Sequence, residues 1–546
     1  MTVAAPRFSI VTPVYETPEP VLARMLKSVR RQSFEDWELC LVDDASAQGR
    51  VAETLDAAAR ADARIRVRRR EANGGIVAAS NDALAMARGE FVALVDHDDE
   101  LHPGALSAVQ EALAREPEAD YAYTDEDKIV GPGIHLRPFL KPEWSPERLR
   151  TQMYTCHLSV LRRALVEEVG GFDPDFEGSQ DWDLVLKVTE RARAVVHVPR
   201  VLYHWRVSAS SAAARGAAAK PWAFEAGRRA VQAHCERTGL EARVERDDAH
   251  TGVYHLHPEL RGEPRVGIVI PTACRNREVR GRSQLLVGNC VRSIRERSTY
   301  GNYEIVCVVD AGAPAEAVEE LRALGGERLR VVEYDRPFNF SEKVDLGAAH
   351  SDGEHLLLLN DDVEVATPDW IERMAMYSRL PEVGAVGGRL LLEDGRLQHA
   401  GVRFKRGLPG HPYHGRPGDF GGYAYAALVA RNPLAVTGAC LMTRRELFES
   451  LGGLSSEFPV NYNDVDYCLR LRQAGKRVVY DPDLVMYHFE SSSRPTAVAD
   501  WEKRLLKQRW GALTAADPDS HPRLDGRRHA LLSRFASVRR SLAFRR

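Results

Sequence analysis

The sequence has no apolar run approaching the ~20 residues that a membrane-spanning helix requires. Its most hydrophobic stretches, around Phe91-Val92-Ala93-Leu94-Val95 and Leu356-Leu357-Leu358-Leu359, are strand-sized. The opening MTVAAPRFSIVTPVY lacks a basic segment followed by a long apolar one, so no secretory signal is read and a cytoplasmic protein is expected. Cysteine is sparse: eight residues, at 40, 156, 235, 274, 290, 307, 440 and 468, with no C-x-x-C pair, which suits reduced core thiols better than a disulfide frame or a zinc site. Net charge is nearly absent too, 75 Lys+Arg against 78 Asp+Glu giving −3, which argues against a dedicated nucleic-acid binder.

What is present is ample core. A chain of 546 residues with 44% hydrophobic and 28% charged residues has room for three or four ordinary domains or two large ones. Internal similarity decides between these counts. FSIVTPVY at 8–15 resembles VGIVIPTA at 266–273, WELCLVDDAS at 37–46 resembles YEIVCVVDAG at 303–312, and RGEFVALVDHDDEL at 88–101 resembles DGEHLLLLNDDVEV at 352–365. The offset runs from 258 through 266 to 264, the drift that small loop insertions produce.

Each copy opens with a β-branched run, passes through helical spacing such as Val21, Leu22, Met25, Leu26 and Val29, and returns to a second apolar run. That order predicts α/β architecture, a mostly parallel sheet covered by helices, in which ligands collect beyond the carboxyl ends of the strands. The expected domains are 1–257 and 266–512, joined by a polar Pro/Gly-containing linker at 258–265. The tail at 513–546 carries eight Arg and one acid from Arg523 to Arg546, while Leu531, Leu532, Phe535, Val538 and Leu542 share one helical face. A basic amphipathic helix of this kind suits either an anionic membrane surface or packing on the protein itself.

Three acidic features recur in order in both halves. The first is the acid closing the second strand, Asp44 and Asp310, placed to accept hydrogen bonds from a nucleobase or ribose; a turn or cap is the ordinary role of such a residue. The second is Asp96-His97-Asp98-Asp99, matched by Asn360-Asp361-Asp362. Carboxylates crowded at a strand end repel one another unless a cation is present, and oxygen ligands suit Mg²⁺ or Mn²⁺. The third is Asp181 and Asp464, each at the start of a helical run, where an N-cap is the common role and a general base facing a metal–diphosphate is the functional one. A histidine then follows each: His204 lies 23 residues after Asp181 and His488 lies 24 after Asp464. A neutral imidazole there would complete a metal's shell.

These motifs, with NGGIVAASNDAL, GSQDWDL and LYHWR in the first half and VTGACLMTRRELF, NYNDVDYCLRLRQAGKRVVYDP and MYHFESSSR in the second, resemble a tandem family-2 glycosyltransferase with two GT-A domains, of the bacterial O-antigen, capsule and surface-polysaccharide type. The resemblance covers about residues 6–512. It implies an inverting, metal-dependent glycosyltransferase using a nucleotide-diphosphate sugar, with Thr12, Asp44, Asp96 and Asp310 on the donor. It further implies Asp98, His204, Asp362 and His488 on the metal, and Asp181 and Asp464 as bases. The acceptor it implies is a growing glycan on a lipid diphosphate, reached at the inner membrane face.

Two departures stand out. Ile270 replaces Thr12, and Asp345 stands where Asn81 sits, expected to add a carboxylate near an acidic site. Both halves keep the acid, base and histidine set, so two active sites are expected. The alternatives are one catalytic half with a non-catalytic acceptor-binding partner and, more remotely, a nucleotidyltransferase. The last calls for a Gly-rich, Lys/Arg-bearing loop after the first strand, which neither TPVYETPEP nor PTACRNREV supplies. Trp144, Trp182, Trp205 and Trp370 are candidate sugar platforms, with core packing the commoner role.

Overall fold

A computed structural model describes residues 5–47, 49–131, 133–207, 221–489 and 498–524. The basic tail expected to meet a membrane or pack on the protein lies, from residue 525 onward, outside the described residues. The chain divides into two compact units. One comprises Met1–Ser145, Leu149–Gly239 and Val244–Tyr254; the other comprises Pro146–Arg148, Leu240–Arg243 and His255–Arg546.

The strands of the first unit are β1 (Phe8–Val14), β2 (Trp37–Asp43), β3 (Ile65–Arg69), β4 (Phe91–Leu94), β5 (Glu100–Leu101), β6 (Ala119–Val130), β7 (Ile134–Phe139), β8 (Ser159–Arg162) and β9 (Ala194–Arg206). They form one sheet in the order β3-β2-β1-β4-β8-β6-β9-β5, with β7 on β6. After β10 (Ala242–Arg246) and β11 (Tyr254–Pro258) come β12 (Val266–Thr272), β13 (Asn276–Val279), β14 (Arg282–Leu285), β15 (Tyr303–Asp310), β16 (Leu329–Tyr334), β17 (His355–Leu359), β18 (Val363–Val365) and β19 (Val383–Leu391). The last are β20 (Leu397–His399), β21 (Arg403–Lys405), β22 (Leu408–Gly410), β23 (Cys440–Arg444) and β24 (Arg477–His488). The second main sheet runs β16-β15-β12-β17-β23-β19-β24-β18, with β20 on β19. Strand for strand this is the order of the first sheet, so the repeat in sequence is a repeat in topology.

Period-two alternation explains how both faces of the sheet are covered. In the first unit Phe8, Ile10 and Val14 face one apolar cluster with Leu39, Leu41, Leu22 and Met25. Val11, Cys40, Val42 and Val92 face the other way, onto Ala79 and Ala83 of the helix Gly75–Met86. All eight cysteines are unpaired and seven are buried, behaving as small apolar groups. The parallel pairs β1/β2 and β1/β4 end together, which brings the Asp43-Asp44 and Asp96–Asp99 segments to the same edge. Pairs β12/β15 and β12/β17 do the same for Asp310 and Asn360-Asp361-Asp362.

Candidate active site

In the first unit the strand-end acids do different work. Asp44 is almost fully buried, and its carboxylate accepts the backbone N–H groups of Gly74 and Gly75 at 2.9 Å each, with Arg70 Nε 3.0 Å away. It fixes the turn that enters the helix Gly75–Met86, where Gly75 has a φ of 84° that only glycine takes without strain. Thr12 is buried in the middle of β1, and its hydroxyl finds no hydrogen-bond partner.

Past β4, Asp99 is fully buried and accepts from Tyr203 Oη at 2.6 Å and from the Arg206 N–H at 2.7 Å. Burial, reinforced by Asp96 and Asp98, pushes its carboxyl well up. Asp98 is raised as well, chiefly by burial, with His97 pulling the other way and Asp96 adding to the rise. His97 Nδ1 lies 3.0 Å from the Pro13 carbonyl.

A residue absent from the motif reading sits at the centre of this cluster. His157 Nε2 is 3.7 Å from Asp96 Oδ2, its Nδ1 is 3.5 Å from Glu126 Oε2, and its ring stacks on Tyr203 at 4.6 Å. Burial alone would lower the imidazole, but the two carboxylates outweigh it and hold it well above its usual range. Glu126 is in turn held well below the usual range, against its own burial, by Lys141 and Lys128, whose ammonium groups lie 3.2 and 3.1 Å away. Asp181 opens the helix Gln180–Thr189; burial raises its carboxyl, with His157 opposing and Asp96 adding to the rise. The electrostatics therefore tie Asp96, His157 and Asp181 into one site.

The second unit builds its site from fewer charges. Asp310 accepts from Lys343 Nζ at 2.7 Å, and the same ammonium donates to the Thr272 carbonyl at 2.9 Å. Asp310 lines a cleft of about 700 Å³ with Arg275, Asn276, Gly312 and Pro314. Thr272 Oγ1 donates to Asp361 Oδ2 at 2.7 Å, so a hydroxyl two residues along the strand tethers the acidic segment where Ile270 offers none. Asp362 Oδ1 lies 3.0 Å from His488 Nε2, and His488 Nδ1 is 2.7 Å from Gln398 Oε1. Asp464, in the first turn of the helix Asn463–Gln473, accepts from the Gly438 N–H at 2.7 Å and the Val465 N–H at 2.8 Å. A second cleft, of about 780 Å³, is lined by His488, Phe489, Arg277, Arg280 and Arg396.

The two histidines expected as equivalents are not equivalent. Glu100 and Glu364 are matching residues, 264 apart; Glu100 pairs with His204 across β5/β9, whereas Glu364 pairs with Tyr487 across β18/β24. The β6/β9 and β19/β24 ladders agree, with Asp127 opposite His204 and its counterpart Leu391 opposite Tyr487. By register His488 therefore stands where Trp205 stands in the first unit. A one-residue slip in a strand moves a side chain to the other face. Tyr203 faces Asp99, so His204 faces away: its Nδ1 is 2.7 Å from Asp127 Oδ1. Among the described residues, the ligand atoms that close within 4.8 Å of one another are those of Asp96, Asp99 and His157 and those of Asp127, His135 and His204. The structure thus pairs His204 with Asp127 and His488 with Asp362.

Asp345 is a further correction. It does not extend the acidic site but braces the turn at Gly453-Leu454, accepting the Leu454 N–H at 2.9 Å, and burial pushes its carboxyl up to about 6. Asn81 braces Phe172 in the same way with both amide groups, at 2.8 and 3.0 Å. Of the tryptophans, Trp182 and Trp370 are core residues whose indole N–H groups are taken by the Leu149 carbonyl and Ser298 Oγ. Trp205 carries Lys128 Nζ 3.2 Å from its ring centroid.

Two doubly wound sheets of one strand order, each with acids beyond its central strands and a carboxylate at a following helix start, define a tandem pair of GT-A, Rossmann-like domains. Residues 9–170 match the family described as Glycosyl transferase family 2, and residues 264–511 match Glycosyltransferase like family 2. The chain belongs to glycosyltransferase family 2. It is 41% identical over 533 residues to the uncharacterized protein y4gI of Sinorhizobium fredii, covering 95% of this chain and 58% of that one. It is 37% identical over 491 residues to the O-antigen biosynthesis protein RfbC of Myxococcus xanthus, covering 90% of this chain and 38% of that one. The chain therefore spans little more than half the length of the first relative and well under half that of the second. A crystal structure of S. aureus TarS 1–349 in complex with UDP-GlcNAc is similar at 23% identity and a TM-score of 0.35, over 42% of this chain and 66% of that one.

Proposed function

We propose that each unit, taken as domains 1–257 and 266–512, transfers a sugar from a nucleotide-diphosphate donor with inversion, so that the chain carries two sites that extend a bacterial surface glycan. The observation that carries the reading is the recurrence, in one strand order, of a helix-start carboxylate and of acids at a strand end: Asp181 and the Asp96–Asp99 segment, with Asp96 acting on Asp181, and Asp464 and Asp361-Asp362. The match to family 2 supports an activated-sugar donor. The O-antigen relative supports a surface-glycan acceptor, read here as lipid-diphosphate-linked and met at the inner membrane face. Among the described residues no helix is long and apolar enough to cross a membrane.

In each unit the acceptor hydroxyl oxygen attacks the anomeric carbon. Its proton passes to Asp181 or Asp464, and the bond from that carbon to the diphosphate oxygen breaks with its electrons on the leaving group. Burial raises the Asp181 carboxyl, which makes its carboxylate a stronger base. The backbone N–H groups of Gly438 and Val465 hold Asp464 in a fixed orientation. A divalent cation, Mg²⁺ or Mn²⁺, would neutralise charge on the departing diphosphate. The donor sets fit one: like charges crowd Asp96, Asp98 and Asp99 in the first unit, and Asp362 with His488 offers an oxygen and a nitrogen 3.0 Å apart in the second. Asp44 shapes the turn under the donor rather than offering a free carboxylate, whereas Asp310 borders an open cleft of nucleoside size.

A second reading, one catalytic unit with an acceptor-holding partner, is favoured by one observation, the inequivalence of His204 and His488. Purified protein screened with nucleotide-diphosphate sugars and Mn²⁺ or Mg²⁺, scored by nucleoside diphosphate release and product linkage, separates the two. Loss of a different linkage in Asp181→Asn and in Asp464→Asn supports two sites, and one silent substitution leaves a single catalytic unit.

A further inference from the structure

The slip that turns His204 away from the acidic site gives it new neighbours. Strands β9, β6 and β7 lie side by side, with Asp127 directly opposite His204 and with His135 at the start of the β6/β7 hairpin. His135 stands opposite Ile129, two residues along β6 from Asp127; opposed residues, and residues two apart on one strand, share a sheet face, so all three side chains lie on the same face. His204 Nδ1 lies 2.7 Å from Asp127 Oδ1, and His135 Nδ1 lies 3.1 Å from Asp127 Oδ2. The two imidazoles meet edge to face at 4.4 Å. One donor atom from each of the three residues lies within 4.8 Å of the other two.

We propose that Asp127, His135 and His204 form a binding site for a borderline transition-metal dication of the Zn²⁺ class, separate from the cation site of the acidic cluster. Ligand identity decides the class. Two imidazole nitrogens and one carboxylate oxygen suit Zn²⁺ or Co²⁺, whereas Mg²⁺ prefers an oxygen shell that keeps its waters. Geometry agrees: ligands about 2.0–2.1 Å from a tetrahedral ion are about 3.3 Å apart, close to the separations already present. Access agrees as well, because the Asp127 and His204 side chains are only 11% and 13% exposed while that of His135 is 47% exposed. Two ligands are held in place, and the third opens the site to solvent and leaves room for a water. Binding would exchange the imidazole protons now shared with Asp127 for the ion and would pin β7 to β9. The second unit has Leu391 at the Asp127 position, so the site belongs to the first unit alone.

The test uses tag-free full-length protein and Zn²⁺ by equilibrium dialysis with metal analysis, alongside Co²⁺ read by its visible absorption. His135→Gln changes an exposed side chain and spares the core; His350→Gln, an exposed histidine in the second unit, is the control. The expected result is one Zn²⁺ per chain that remains bound in excess Mg²⁺, whose affinity falls at least about tenfold in His135→Gln and is unchanged in His350→Gln and Asp98→Asn. The Co²⁺ complex is expected to show tetrahedral absorption that His135→Gln abolishes. Equal Zn²⁺ binding by the wild type and His135→Gln, or a Co²⁺ signal lost in Asp98→Asn instead, would overturn the assignment.

Discussion

The two units share a strand order and a ladder register almost throughout, yet they spend charge differently. The first surrounds its site with a buried network, Lys141 and Lys128 on Glu126, Glu126 and Asp96 on His157, and three strand-end acids. The second replaces Glu126 with Leu390, His157 with Ala439 and Asp99 with Val363 by the same registers, and leaves one acid facing one histidine. A fold can therefore be duplicated while the means of balancing charge at its site is rebuilt. In the first unit a buried imidazole held in its charged form compensates the acids. In the second there are fewer acids to compensate.

The sharpest way to break this comparison is to remove the helix-start carboxylates one at a time. Loss of a general base lowers turnover by about 10²–10⁴. Asp181→Asn is expected to cost that much in one linkage and Asp464→Asn in the other, read by product analysis at saturating donor. The histidines come next. His488→Ala is expected to raise the Mn²⁺ concentration needed for half-maximal activity of the second unit by at least about tenfold. His204→Ala leaves the Mn²⁺ requirement of the first unit within about twofold, because His204 faces Asp127. Equal effects would restore the equivalence that the register denies.

The smallest effect sharpens the contrast between Asn81 and Asp345. Burial holds the Asp345 carboxyl at about 6 in the folded protein against 3.8 for an ordinary aspartate. The protonated form is thus the one that folding favours. No penalty is present below the unfolded value, and the penalty grows as pH rises and is complete above about 6. Asp345→Asn should stabilise the chain by about 1–3 kcal/mol at pH 7.5. That gain should vanish near pH 4, measured by urea unfolding at both values. Asn81→Asp should do the reverse, at a cost of about 1–3 kcal/mol, because a carboxylate would then face the Phe172 carbonyl.

Much of this was legible in the residues. Apolar runs ending in Asp43-Asp44, Asp96–Asp99, Asp310 and Asp361-Asp362 foretell acids at strand ends, and the topology places them there. The helix-start position of Asp181 and Asp464 was equally plain. The histidines carried a signal in their spacing, 23 residues against 24, whose difference of one reads as agreement on a loop but as opposite faces on a strand. His157 carried none, because a lone histidine ahead of β8 is drawn to Asp96 and Glu126 only by long-range packing. The role of Asp345 was hidden for the same reason, since its partner at Leu454 lies 109 residues away.

The most direct test of the account is an anomalous-diffraction map from crystals grown with Mn²⁺ and a nucleoside diphosphate. It should show an ion bound to Asp362 and His488 in the second unit, and an ion at the Asp98 cluster of the first unit with no histidine ligand from β9. A single ion coordinated by both Asp98 and His204 would contradict it.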